Sequence, residues 1–501
     1  MSAPTQKSVL LVTVDCLRAD HCGFMGYARP TTPFLDDLAN ESFVFPLAIV
    51  AGVPTYYSLP AIMASRYPLA FGRELVGLAD EEKTLASVFK ENGYATGFFG
   101  AGNPYLSAQF GYDFGFDTFR DFIDDVGLLP DRVPEASNRG DWITFVNRML
   151  AGASRKVPAL APIYDELYFH YCQARALPAS SLDALRRFPA ADVMVDQART
   201  WLASMGDAPF FLWLHLMDPH APYYPTNKGA KLFNTSTPSA KHARYLNSQW
   251  SRSELRGKRL SRYRDEIVGL YDSGVRWVDA QLSRLIGMLR ELDLWEKCIF
   301  AFTADHGEAF LEHDRRYHAP SLDEELINVP LLLRVPGVKK RPVSIVPFSL
   351  LHLAPTLLEA AGVSIPEEFR GDSHWKHLQD GILWSGTAIS ECIAGCTNPY
   401  AAEQRRGPRL LSVREARYKL RLNFDSGAEQ IFDLRSDPAE RAVLPPTVAK
   451  DERRRLLQTA FAHLQRTTCR HPSKSYLRAR VRQIAASCSR AAKPTPSGVV
   501  A

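Results

Sequence analysis

The run FTADHGE (302–308) sets a carboxylate and an imidazole side by side, Asp305 and His306, at the end of an apolar stretch. Adjacent oxygen and nitrogen donors at a strand end suit a divalent ion of the Zn²⁺ or Mn²⁺ kind. A strand-capping Asp beside a surface His is the structural alternative. VTVDCLRADH (12–21) adds Asp15 directly behind a second apolar run. An Asp there serves a turn or a helix cap as readily as a metal, and Asp20 reads as structural. LHLMDPHAPYYP (214–225) places His215 and His220 on either side of Asp218, on a strand end and a proline-stiffened loop. Two imidazoles there can meet anionic oxygens or a metal. His318, in RRYHAP, stands twelve residues beyond His306 on a loop able to fold back over it. In GVPTYYSLPAIMASRYP (52–68) the chain enters a helix after Pro54, which leaves Thr55 and Ser58 beside the free N–H groups that bind anions. A helix-capping role is the alternative for Thr55.

These residues need a frame that brings them together. SVLLVTV, ATGFFGAG, FFLWLHL, CIFAFTADHG and VPLLLRV are short apolar runs separated by helical patterns such as TTPFLDDLAN and TLASVFKENG. That alternation predicts an α/β fold, a large mixed and mostly parallel sheet flanked by helices. Functional groups then collect at the carboxyl ends of strands, and Asp15, Asn103, His215 and Asp305 each fall at or just past such an end. The expected domains are a catalytic unit over 1–375, a small C-terminal α+β subdomain over 376–470 and a disordered tail over 471–501. Within the first, 121–190 reads as an insertion or lid, broken by PEASNRG and AGASRKVP. RLLSVREARYKLRLN and EQIFDL alternate as antiparallel strands do.

Composition narrows the function. A net charge of +5 over 501 residues, with both signs interleaved, disfavours nucleic acid as a partner. The apolar run Val9–Val14 is too short for the core of a signal peptide and reads as a buried strand. No stretch approaches the roughly 18 uncharged apolar residues of a membrane span, so a cytoplasmic protein without a span is expected. The eight cysteines lack the spacing of a zinc ribbon and read as buried or incidental thiols.

In order along roughly 8–440, the motifs VLLVTVDCLRADH, TPFLDDLANESFVF, SLPAIMASRYP, ENGYATGFF, GYDFGFDTF, PFFLWLHLMDPHAPYYP, FTADHGEAF, YHAPSLDEELINVPLLLRVPG and LLHLAPTLLEAAGV resemble the sulfatase family of the alkaline phosphatase superfamily. REARYKLRLN and IFDLRSDPAER resemble its C-terminal subdomain. The resemblance implies one divalent metal ion (Zn, Mn or Ca) held by Asp15, Asp305 and His306, with the nucleophile at Thr55 as a further ligand. His220 and His318 match histidines that contact the transferred group or complete a second, weaker metal site. Asn103, in GNPYLS, stands where relatives place a polar or cationic substrate contact; Ser58 and His215 join it as substrate-binding candidates.

One register departs from the family. Sulfatases carry Cys or Ser in a CxPxR or SxPxR context, oxidised to formylglycine, whereas this chain reads Thr55-Tyr56-Tyr57-Ser58-Leu59. Threonine cannot yield the aldehyde, so no formylglycine is expected. A Thr followed three residues later by Ser, then one residue and Pro, is similar to the phosphoethanolamine transferases. The implied activity is a metal-dependent hydrolase or transferase acting on phosphate or sulfate esters of small molecules, glycans or lipids, with phosphate favoured. A sulfate-ester hydrolase using unmodified Thr55, a phosphoethanolamine-type transferase and a non-catalytic metal-binding module are the rival readings. Metal content separates the last from the rest.

Overall fold

In the computed structural model, the structure describes residues 6–123, 149, 166–167, 169–170, 173, 179–206, 208–233, 238–339, 343, 345–382, 384 and 386–467. Most of the expected insertion 121–190, and all of the expected tail 471–501, lie outside the described residues.

SVLLVTV forms β1 (Ser8–Val14), and every residue in it is buried. A strand that is apolar on both faces fits the middle of a sheet covered on both sides. It is the centre of seven: β2 (Phe43–Val44), β3 (Ala95–Gly100), β4 (Thr118–Arg120), β5 (Phe210–Leu216), β6 (Cys298–Ala304) and β7 (Leu331–Arg334) complete the order β2-β7-β6-β1-β5-β3-β4. β4, β3, β5, β1 and β6 pair in parallel, while β7 runs antiparallel to β6 and to β2. The sheet is therefore mixed and mostly parallel, as expected from the alternating pattern.

Register decides where the chemistry lies. Val14 pairs with Leu216 on one side and Ala304 on the other, so β1, β5 and β6 end level. Gly100 of β3 pairs with His215. Asp15, Asn103 and Asp305 therefore leave the sheet at one edge, close to His215 near the end of β5.

Helices hold that edge in place. α1 (Thr55–Ala64) is buried along its whole length, α2 is Leu85–Glu91 and α3 is Ala191–Met205. The long α4 (Arg264–Glu291) packs on α3 and reaches the loop after β1. There the Tyr271 hydroxyl donates to Cys16 O at 2.8 Å and accepts from Arg18 N at 3.0 Å. Further along α4, Asp279 accepts from the backbone N–H groups of Phe34 and Leu35. α5 (Leu353–Ala361) follows the last strand of this unit.

The C-terminal part builds its own small core. β8 (Ala388–Ile393), β9 (Arg409–Arg414), β10 (Tyr418–Asn423) and β11 (Ala428–Asp433) form an antiparallel sheet in chain order. α6 (Lys450–Thr467) covers it, and Leu411, Val413, Leu420, Ile431, Leu456 and Ala460 pack between them. Among the described residues, no helix is long and apolar enough to cross a membrane.

Candidate active site

The turn after β1 presents Asp15 and Cys16, and the turn after β6 presents Asp305 and His306. Asp15, Cys16, Asp305 and His306 have no solvent exposure. Cys16 takes a left-handed conformation, φ 61°. Its N–H donates to Asp305 Oδ1 at 3.3 Å, and His306 N–H donates to the same oxygen at 2.9 Å. One carboxylate oxygen thus ties the two turns together and leaves the other for a different task.

α1 starts at Pro54 and delivers Thr55 to this point. Thr55 Oγ1 lies 3.1 Å from His306 Nε2 and donates to Asp15 Oδ2 at 3.5 Å. Ligand atoms of Asp15, Asp305 and His306 lie within 4.8 Å of one another. Two carboxylates, one imidazole and one hydroxyl therefore converge on one buried point.

Two histidines form the mouth. The His318 ring sits 4.7 Å from that of His306 and 5.0 Å from that of His220, centroid to centroid. His318 Nδ1 faces Glu308 Oε1 at 3.5 Å, with the His318 side chain 22% exposed and Glu308 fully buried. Burial lowers His318, yet Glu308 raises it to about 9. Burial pushes His220 below the usual histidine range. For Asp15, burial works upward, but His220, His215 and His306 outweigh it and hold the carboxyl well below the usual range. Asp305, buried and next to Asp15, is pushed up.

The donor set fits a cation. Asp15, Asp305 and Glu308 are three buried carboxylates, and Asp305 Oδ2 and both Glu308 oxygens have no hydrogen-bond partner. Buried charge without compensation is strongly unfavourable, and a divalent ion is the natural compensation for an orphaned carboxylate oxygen beside an imidazole.

Asp15, Thr55, Asp305, His306, His220 and His318, read separately from sequence, are all brought together. Asn103, His215 and Ser58, expected to contact substrate, form hydrogen bonds within the site. Asn103 Nδ2 donates to Asp15 Oδ2 at 2.8 Å, and His215 Nε2 faces the same oxygen at 3.3 Å. His215 Nδ1 is 2.8 Å from the Thr13 hydroxyl. Ser58 Oγ donates to Thr55 O at 3.2 Å, inside the helix. The three brace Asp15 and Thr55 from behind, because each is buried with its polar atoms turned inward. Asp20, read as structural, pairs with Arg18 at 2.7 Å. Sequence reasoning passed over Cys16 and Glu308. Both sit within three residues of a flagged Asp, and that proximity was the available signal.

Known proteins resemble this chain in sequence and in fold. A family model described as Sulfatase matches residues 7–363. A second, described as N-sulphoglucosamine sulphohydrolase, C-terminal, matches 312–467. The chain is 30% identical to arylsulfatase K of Canis lupus familiaris over 277 residues, which is 49% of this chain and 50% of that protein. The chain thus spans about half the length of the arylsulfatase K relatives it matches. It is 23% identical to an ulvan-active sulfatase of Formosa agariphila over 461 residues, covering 87% of this chain and 77% of that one. Two solved structures share the fold. One, in complex with its substrate D-glucosamine-2-N,6-O-disulfate, has a TM-score of 0.67 at 16% identity, covering 92% of this chain and 98% of its own. The other, the phosphonate monoester hydrolase of Agrobacterium radiobacter, has a TM-score of 0.63 at 18% identity, covering 92% and 95%.

Proposed function

This chain belongs to the sulfatase family, and from that premise we propose that it is a metal-dependent esterase in which Thr55 is the nucleophile and phosphate esters are favoured over sulfate esters. The observation that carries the proposal is the Thr55 hydroxyl, buried 3.1 Å from His306 Nε2 and 3.5 Å from Asp15 Oδ2. Asp15, Asp305 and His306 would hold the metal, with the Thr55 hydroxyl beside them. A divalent ion there lowers the pKa of a neighbouring hydroxyl and offsets charge on the transferred group.

The rest is done by the chain's own residues. Thr55 sits at the amino end of a ten-residue helix, where free N–H groups and the helix dipole favour an anion. Its oxygen attacks phosphorus, its proton is lent to Asp15 Oδ2 and returns to the Thr55 oxygen when the ester is cleaved, and a phosphothreonine ester forms as the substrate's P–O bond breaks. His318, held by Glu308, protonates the leaving alkoxide, a step that in general contributes about 10²–10⁴-fold. The neutral imidazole then takes a proton from the water that cleaves the phosphothreonine. An acceptor alcohol in place of that water makes the same step a transfer. His220, across the mouth, faces the oxygens of the transferred group.

The phosphate preference follows from how the intermediate is released. A formylglycine hydrate can expel sulfate by collapsing to its aldehyde. An ester on Thr55 has no such exit and requires a second attack at the transferred atom, a route that phosphoenzymes manage with good charge compensation. The phosphonate monoester hydrolase fold is consistent with phosphoryl chemistry. A sulfate-ester reading is favoured by the arylsulfatase and ulvan-active relatives, and the substrate class is then a sulfated or phosphorylated glycan or other small ester. Turnover of matched phosphate and sulfate esters by wild type, Thr55→Ser and Thr55→Ala separates these readings. Phosphate turnover that is retained in Thr55→Ser and lost in Thr55→Ala is expected. Equal activity in all three would overturn the nucleophile assignment.

A further inference from the structure

The cysteines of this chain do not all have the same surroundings. Cys22 Sγ points at the Arg18 carbonyl at 3.7 Å and Cys298 Sγ at the Ile299 carbonyl at 3.4 Å, as buried thiols commonly do when they serve as small apolar fillers. Cys16 Sγ instead lies 3.0 Å from Asp15 Oδ1 and 3.3 Å from His318 Nδ1, two groups that are themselves possible ligands. Its backbone is pinned at both ends, the N–H by Asp305 Oδ1 at 3.3 Å and the carbonyl by the Tyr271 hydroxyl at 2.8 Å. The Cα of Cys16 is therefore held beside the site, with the thiol in reach of its donors.

Cys16 also links the site's donors. Ligand atoms of Cys16, His306 and His318 lie within 4.8 Å of one another, and so do those of Asp15, Cys16 and His220. Both groups overlap the set formed by Asp15, Asp305 and His306. Independently, the buried Asp305 Oδ2 has no hydrogen-bond partner, so a ligand is wanted at this point whatever the thiol does.

We propose that Cys16 Sγ is a ligand of the site's cation, and that the centre is a mixed thiolate, carboxylate and imidazole site that selects Zn²⁺ over Ca²⁺ or Mg²⁺. Soft thiolate suits zinc, whereas calcium and magnesium take oxygen donors almost alone. Binding converts the thiol to thiolate and releases its proton to solvent. The inference rests on the reading of Asp15, Asp305 and His306 as metal holders and adds to it the identity of the metal.

X-ray absorption at the zinc edge of the intact, zinc-loaded wild-type protein tests the two readings separately. A sulfur scatterer at about 2.3 Å beside oxygen and nitrogen at about 2.0–2.1 Å is the expected spectrum. Stoichiometric zinc with only oxygen and nitrogen neighbours overturns the role of Cys16 and leaves the metal-holding carboxylates standing. No zinc uptake overturns both. Competition between Zn²⁺ and Ca²⁺ in Cys16→Ser and Cys16→Asp adds a readout independent of turnover. Zinc preference is expected to fall by about 10–100-fold in Cys16→Ser, a loss of the size seen when a metal's surroundings are altered. In Cys16→Asp it is expected to move towards Ca²⁺. Unchanged selectivity in both variants would overturn the assignment, and the wild-type spectrum decides it should neither variant fold.

Discussion

Two clusters of buried acids in this chain have opposite electrostatic arrangements. At the sheet edge, Asp15, Asp305 and Glu308 are buried and, among the described residues, form ion pairs with histidines alone, while three of their oxygens lack hydrogen-bond partners. Where the catalytic unit meets the C-terminal sheet, Asp323, Glu324 and Glu440 are each met by a permanent cation of the chain. The fully buried Lys419, on β10, lies 3.1 Å from Glu324 and 2.8 Å from Glu440. Arg414, on β9, lies 3.1 Å from Glu324, and Arg421 pairs with Asp323. The junction's acids are matched by lysine and arginine of the chain itself, whereas those at the sheet edge have histidines as their ion-pair partners among the described residues, and the proposed cation would supply the remaining charge. Burial of acids therefore does not by itself mark a site; the missing protein counter-charge does.

The largest effect that sets the two apart is expected from Asp305→Ala. It removes a proposed metal holder at a strand end, and activity should fall by about 10³-fold or more, the equivalent of several kcal/mol of charge stabilisation. Far-ultraviolet circular dichroism should be unchanged. Elemental analysis showing full metal occupancy in the variant would break the distinction.

Lys419→Met should act in the opposite sense. It strands Glu324 and Glu440 in the interior, a change that costs about 3–5 kcal/mol when one partner of a buried pair is removed. Denaturant titration measures it, and metal content per folded molecule should not change. A loss below about 0.5 kcal/mol would mean that the junction is not held by its charges.

Glu308→Gln is a sharper and smaller change. As Glu308 holds His318, kcat is expected to drop by about 10–100-fold. Stability should change little, since the cost of burying the carboxylate disappears together with its pairing to His318. Clear destabilisation would show Glu308 to be a structural acid of the junction type.

The smallest effect is on pH. Burial opposes ionisation of Asp323, but Arg421, Ser321, Lys419 and Arg315 hold it down to about 2. Its folded value lies below the unfolded value of about 3.9, so its contribution is present above pH ~4 and is lost as pH falls towards ~2. His313, bonded to Glu325 at 2.8 Å, is raised to about 9 by that bond, against burial. Its contribution is complete below the unfolded value of about 6.5 and fades as pH rises through ~9. Thermal melts across pH should therefore decline on both limbs. Asp323→Asn should flatten the acid limb, and an unaltered limb would remove Asp323 from the account.

Much of this was legible before any coordinates. SVLLVTV, FFLWLHL and CIFAFTA are strands because their apolar, β-branched and aromatic residues suit two-sided burial, and the acids that follow them had to leave the sheet at a carboxyl end. The helix start after Pro54 marked Thr55 as a cap or an anion contact, and its reading as a nucleophile came from the family resemblance. Other features depend on contacts that spacing does not encode. The place of Cys16 at the site depends on a left-handed turn, and a single cysteine beside an Asp is usually a filler. Whether Asn103 faces substrate or Asp15 depends on a rotamer and on the level ends of β1 and β5. The antiparallel direction of β7 is set by its path around the sheet, and VPLLLRV has the same apolar pattern either way. Three of the junction's ion pairs, Glu324 with Lys419 and Arg414 and Asp323 with Arg421, join residues about a hundred positions apart, beyond the reach of local patterns.

The most direct test of the central claim is to trap the enzyme during turnover. Metal-loaded protein is quenched with a phosphate ester and, separately, with the matched sulfate ester, and the peptide carrying Thr55 is read by tandem mass spectrometry. The account predicts a phosphoryl group on Thr55 with the phosphate ester, faster turnover of that ester, and no such adduct in Asp305→Ala. An unmodified Thr55 throughout, with the sulfate ester cleaved at least as fast, would contradict it.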